Sequence, residues 1–337
     1  MTPCAAILDA EGLSLTREEQ AFFRDANPFG FILFARNIDT ADQVRGLCAQ
    51  MREAVGRDAP ILVDQEGGRV QRLRPPLARN WTAPLDFVAQ AGAQAEAAMR
   101  LRALLMAWEL HAVGIDVNCA PMADLAREET HAFLKNRCYG SEAAQVGALA
   151  RAVAQGQLAG GVLPVVKHMP GHGRSVADSH SDLPLVTTEL DELQATDFAA
   201  FRAVADLPMG MTGHVVYSAL SAKPATISAE VITMIRAEIG FDGLLMTDDL
   251  SMNALQGEPA DRARAALDAG CDLALFCNAP LAERIAVADA AGDMTQAGLD
   301  RAAAALALRK APEAVDAQEV ENALRKLVDG PIFEVRT

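Results

Sequence analysis

Residues 167–184, KHMPGHGRSVADSHSDLP, carry Lys167 and three of the chain's six histidines, His168, His172 and His180. Pro170, Gly171 and Gly173 exclude a helix, so His168 and His172, although four apart, cannot share a helical face as paired metal ligands do. Asp178 and His180 stand two apart; in an extended segment both side chains project to one side and form a carboxylate and imidazole pair. Imidazole titrates near about pH 6.5, and a neighbouring carboxylate fixes its tautomer and favours its charged form, which suits general acid/base work. The same contact could instead simply hold a loop together.

Two further stretches add carboxylates and cations. FDGLLMTDDLSM, residues 241–252, ends an apolar run with Asp248 and Asp249. Strand alternation sends these two to opposite sides, one toward a pocket and the other to brace a loop or cap a helix. VDQEGGRVQRL, residues 63–73, places Asp64, Glu66, Arg69 and Arg72 around two glycines that permit a tight backbone beside a ligand. Asp64 has the chemistry to accept hydrogen bonds from two hydroxyls, and Arg72 to donate to a hydroxyl or carbonyl. Arg137, in KNRCYG, is another donor of this kind.

These residues need elements to position them. Apolar runs begin at Cys4, Phe31, Ile61, Ile115, Leu163, Met209, Leu244 and Leu273, and helical spacing fills residues 41–55, 93–113, 143–158, 228–239 and 262–269. Runs apolar on both faces are parallel strands covered by helices, and about eight of them predict a closed TIM (β/α)8 barrel. No Gly-rich dinucleotide fingerprint follows the first run, which weighs against a doubly wound sheet. Polar groups stand directly after the runs: Arg36 and Asn37, Asp64, Asn118 with Asp124, Lys167 and His168, Thr212 and His214, Asp248 and Asp249, Asn278. In a barrel these exits share one face, so residues distant in sequence converge on one pocket. The Ala-rich stretch 299–327 reads as closing helices, and residues 1–337 as a single barrel domain.

Composition removes other classes. Of the 337 residues 51% are apolar and 22% charged, as in a globular protein with a large core. A formal charge of −15 argues against a nucleic-acid partner, whose phosphates require clustered Lys and Arg. The most apolar stretch, residues 152–166, is about 15 residues, short of the roughly 20 that span a membrane. The six cysteines form no CxxC pair and sit largely in apolar runs, and the N-terminus lacks a basic export signal, so a cytoplasmic protein with free thiols is expected.

Taken in order, DQEGGRVQR, NRCYG, KHMPGHG, DSHSDLP and MTDDLSM resemble the β-N-acetylhexosaminidases of glycoside hydrolase family 3, specifically the single-domain bacterial enzymes of cell-wall recycling. The resemblance spans roughly residues 29–256. It implies a retaining β-N-acetylglucosaminidase acting on terminal N-acetylglucosamine of peptidoglycan fragments, GlcNAc-anhydroMurNAc with or without peptide, or a chitobiose-like small saccharide. Such activity bears on cell shape and division. By position, the resemblance makes Asp248 the nucleophile, His180 the acid/base and Asp178 its assistant, with Asp64, Arg72, Arg137, Lys167 and His168 binding sugar. It implies no metal and no organic cofactor, and a monomer is expected. Gln65 departs from the pattern, because related sequences often carry His there. A metal-dependent amidohydrolase on the same barrel is the main rival, but it requires an HxH pair near the first strand, and the first histidine is His111.

Overall fold

A computed structural model describes residues 1–175, 183–314 and 316–334. Eight parallel strands form one sheet: β1 (Cys4–Asp9), β2 (Pro28–Leu33), β3 (Ile61–Val63), β4 (Val117–Asn118), β5 (Leu163–Met169), β6 (Met209–Thr212), β7 (Leu244–Met246) and β8 (Ala274–Phe276). Their order is β7-β6-β5-β4-β3-β2-β1-β8. The remaining seam, between β7 and β8, is closed by a parallel bridge from Met246 to Leu273 and by the Leu250 N–H donating to the Leu275 carbonyl at 2.9 Å. A helix follows each strand, in order Arg17–Ala26, Ala41–Val55, Ala95–His111, Ala143–Ala159, Asp197–Arg202, Ala229–Met234, Pro259–Ala269 and Leu281–Ala291. This is the expected TIM-type barrel.

Period-two alternation divides each strand between two cores. Ala5 and Ile7 of β1, Leu62 of β3, Val165 of β5 and Leu275 of β8 fill the barrel interior. Ala6 and Leu8, Ile61 and Val63, and Ala274 and Phe276 pack outward with residues of the helices, such as Phe23 and Leu47. Helix starts follow local chemistry: the Thr16 hydroxyl accepts from the Glu19 N–H at 3.1 Å while Glu19 accepts from the Thr16 N–H at 3.0 Å, a reciprocal cap.

Two helices follow Leu281–Ala291: Gln296–Leu306 and Ala317–Arg325. The first places Ala302 and Ala305 in the interior core and so shuts the N-terminal end of the barrel. The expected helix over residues 228–239 is α-helical only to Met234; Ile235–Ile239 form a π turn that ends at Gly240, with φ +81°. All six cysteines are free and buried, and among the described residues no helix is long and apolar enough to cross a membrane.

Candidate active site

At the C-terminal ends of the strands a cavity of about 330 Å³ is lined by Asp64 after β3, Lys167 and His168 within β5, Asp248 and Asp249 beyond β7, and Asn278 beyond β8. Arg72, Arg137 and His172 reach it from loops, and Phe34, Phe133, Met211 and Met252 supply apolar surface. The Lys167–His168 peptide is cis, and both side chains line the cavity.

One wall is a chain of alternating charges. Arg72 Nη2 donates to Asp64 Oδ2 at 2.9 Å, and Lys167 Nζ to Asp64 Oδ1 at 2.9 Å. Lys167 Nζ also lies 2.7 Å from Glu66 Oε1. Arg137 grips Glu66 with two bonds, Nε to Oε2 and Nη2 to Oε1, each 2.8 Å. Burial disfavours the charges of Asp64, Glu66, Arg137 and Lys167, yet their partners outweigh it. Arg137 and Lys167 hold the Glu66 carboxyl down to about 2, Lys167 and Arg72 hold Asp64 well below the carboxylate range, and Asp64 and Glu66 raise Lys167. The wall therefore stays fully ionised across the neutral range.

Asp64, Glu66 and Arg72 stand in or beside a hairpin, Gln65–Gly67 with Val70–Gln71, whose backbone must turn sharply. Gly67 and Gly68 have φ of +105° and +58°. A Cβ on Gly67 would lie 3.0 Å from the Thr82 carbonyl and displace the Arg102 guanidinium, so the packing adds to the preference for glycine there.

Asp248 stands apart from that wall. One oxygen accepts the Asp249 N–H at 2.8 Å, and the other lies 3.9 Å from His168 Nε2, too far for a hydrogen bond. Burial would raise its pKa, but His168, His214, the Asp249 N–H and Lys167 lower it overall, so Asp248 is ionised. His168 is oriented from behind by Asp124, whose Oδ2 lies 2.8 Å from Nδ1. Asp124 also accepts the N–H groups of His168 and His172 at 3.2 and 2.6 Å. His172 is buried in the wall, where burial and His168 push its pKa to about 4, leaving it neutral above that.

Asp249 also lines the cavity, in contrast to the expectation that the two aspartates face opposite ways. β7 ends at Met246, so strand alternation no longer governs them. Their hydrogen bonds separate them instead: Asp249 accepts from the Ser251 N–H at 3.0 Å, the Cys277 N–H at 3.2 Å and Asn278 Nδ2 at 3.1 Å, while its carbonyl lies 3.0 Å from His214 Nε2. Asp249 braces the loop.

Asp64, Arg72, Arg137, Lys167, His168 and Asp248 are thus brought together. Asp178 and His180 lie outside the described residues. Sequence reasoning gave Glu66 and Asp124 no role of their own; their partners stand 71 and 44 residues away, and no local pattern announces such pairs.

Residues 7–307 match the model of the glycosyl hydrolase family 3 N terminal domain. The chain is 38% identical to a β-hexosaminidase of Pseudomonas aeruginosa over 286 residues, covering 84% of this chain and 85% of the relative. Among solved structures, a family 3 β-N-acetylglucosaminidase from Paenibacillus sp. superposes with a TM-score of 0.84 at 28% identity, over 96% of this chain and 67% of that one. NagZ from Neisseria gonorrhoeae in complex with N-trifluoroacetyl-D-glucosamine superposes with a TM-score of 0.80 at 29% identity, over 98% of this chain and 99% of the other.

Proposed function

The chain belongs to glycosyl hydrolase family 3, a glycoside hydrolase, and from that premise we propose that it is a retaining β-N-acetylglucosaminidase. Its substrate is a terminal non-reducing N-acetylglucosamine on a peptidoglycan fragment, GlcNAc-anhydroMurNAc with or without peptide, cleaved in cytoplasmic cell-wall recycling. The observation that carries this reading is Asp248: an ionised carboxylate with one oxygen held and the other unbonded among the described residues, at a cavity of about 330 Å³ whose wall is charged groups able to grip hydroxyls. That volume is at the small end for ligand sites and suits a sugar ring with its substituents.

In the first step a carboxylate oxygen of Asp248 bonds to the anomeric carbon as the glycosidic C–O bond breaks, and the leaving oxygen takes a proton from His180. In the second step neutral His180 takes a proton from water, whose oxygen bonds to the anomeric carbon as the ester to Asp248 breaks. Configuration is therefore retained. The role of His180, with Asp178 beside it, rests on the family motif DSHSDLP. Asp64, Arg72 and Lys167 present their charges to ring hydroxyls, His168 offers Nε2 to another, and Arg137 retains N–H donors that Glu66 does not use. Buried free thiols fit a reducing compartment.

The test is hydrolysis of an aryl N-acetyl-β-glucosaminide, followed by trapping with a slow fluorinated glycoside and mass spectrometry of the labelled peptide. The expected label is on Asp248. A label on Asp249, or an inverted product, would overturn the assignment.

A further inference from the structure

Gln65 lies between two residues of the charged wall, yet its side chain does not touch the cavity. It is fully buried, and its amide makes three bonds to the loop that carries Arg72. Oε1 accepts the Arg72 N–H at 2.9 Å and the Leu73 N–H at 3.0 Å, while Nε2 donates to the Leu73 carbonyl at 2.9 Å. The Gln65 backbone is itself pinned by Asn118 of β4, whose Oδ1 accepts the Gln65 N–H at 3.0 Å and whose Nδ2 donates to the Gln65 carbonyl at 2.9 Å. Two side-chain amides therefore connect a barrel strand to the backbone of Arg72 by bonds that are buried up to Leu73 and partly buried at the Arg72 N–H itself.

The Arg72 guanidinium, by contrast, is held in the cavity, among the described residues, by one bond, Nη2 to Asp64 Oδ2, and by its position 5.4 Å from the Phe34 ring. A long side chain tethered at one end keeps its place only if its backbone is fixed. We propose that Gln65 is a positioning residue for Arg72: it fixes the backbone from which Arg72 reaches Asp64 and the sugar, and so sets substrate affinity without entering bond cleavage. This deepens the glycosidase reading and rests on Arg72 and Asp64 holding the sugar.

The amide is matched to the task because it offers a donor and a twofold acceptor on one planar group. A carboxylate there would accept the two N–H groups but repel the Leu73 carbonyl until it gained a proton. Methionine would fill the space and bond to nothing.

The experiment compares wild type with Q65M, Q65E, R72M and the double variant Q65M/R72M on an aryl N-acetyl-β-glucosaminide, with calorimetric binding of N-acetylglucosamine as an independent readout. Q65M should raise KM and weaken N-acetylglucosamine binding by roughly ten-fold, with kcat within about two-fold. In the R72M background Q65M should add nothing, because the residue through which it acts is gone. Q65E should show a KM that falls relative to wild type as pH is lowered, whereas Q65M should not.

Equal KM in Q65M and wild type would overturn the proposal, as would additive effects in the double variant. If Q65M is too unstable to assay, the pH dependence of Q65E decides: a KM ratio to wild type that is flat with pH also overturns it. Failure of the wild type to cleave the glycoside or to bind N-acetylglucosamine would overturn the glycosidase reading and this inference with it. A wild-type enzyme with an unaltered Q65M overturns the inference alone.

Discussion

At the N-terminal end of the barrel Asp272 and Asp116 are carboxylates with both oxygens engaged, whereas at the C-terminal end Asp248 keeps one oxygen unbonded among the described residues. Asp272 accepts from Arg301 at 3.0 Å, Arg236 at 2.8 Å and the Leu245 N–H at 2.9 Å. Asp116 accepts from the Ile61 N–H at 2.7 Å and from Arg309 at 2.7 Å, with Arg52 3.2 Å away. These bonds join strand starts to the closing helix and the segment after it. Open space does not separate the two ends, because a wider groove of about 670 Å³ lies at the N-terminal end beside Pro208, Gly243 and Arg301. The difference is spare bonding capacity: a carboxylate with its valences filled fixes the fold, and one left partly unbonded beside a cavity is available to a substrate.

Asp248→Ala tests that contrast most severely. Turnover on an aryl N-acetyl-β-glucosaminide should fall by about four orders of magnitude or more, the scale on which losing a nucleophile operates. Its melting temperature should be unchanged or higher, since a half-buried charge with an oxygen not bonded among the described residues has been removed. A marked drop in melting temperature would mean that Asp248 serves the fold as Asp272 does. Asp272→Ala should give the mirror image. It removes one partner each from Arg236 and Arg301 and orphans the Leu245 N–H, a loss of about 1–3 kcal/mol in denaturant unfolding, with kcat/KM of the folded fraction unaltered. A stable protein with impaired turnover would erase the distinction between the ends.

The contrast was only partly legible in the sequence. Strand runs, helices and the convergence of exits on one face follow from hydrophobic periodicity, which is local and survives folding. So do Asp64, Lys167, His168 and Asp248, because each sits directly at a strand exit. What periodicity cannot carry is pairing. Glu66 becomes the partner of Arg137 and Lys167, and Asp124 that of His168, only when separate loops meet. Asp248 and Asp249 misled for a related reason: alternation predicts opposite faces, but the strand stops two residues earlier, and only the hydrogen bonds from Ser251, Cys277 and Asn278 separate their duties.

Within the C-terminal end the charged wall resembles the N-terminal pattern more than Asp248 does, and acid should reveal it. Burial works against ionised Glu66, but Arg137 and Lys167 hold its pKa near 2, below the ordinary 4.5. Its contribution to stability is therefore fully present above about pH 4.5 and is lost as pH falls toward 2. Lowered Asp64 acts in the same direction. Glu66→Gln should flatten the acid limb of stability against pH and raise KM by roughly ten-fold through a loosened Arg137. An unchanged acid limb would show that the wall's ion pairs contribute nothing to folding there.

The smallest effect is expected at Asp249→Asn, the residue that joins the two patterns in one loop. Its carboxylate is filled as Asp272's is, but its N–H holds Asp248. The amide replaces one accepting oxygen with an NH2 group that cannot accept from Ser251, Cys277 or Asn278, so the loop loosens while the N–H to Asp248 stays. Turnover should fall about ten-fold or less, and labelling of Asp248 by the fluorinated glycoside should persist at a reduced rate. Loss of labelling with full thermal stability would move the nucleophile to Asp249, and with it the line between the bonded and the free carboxylate.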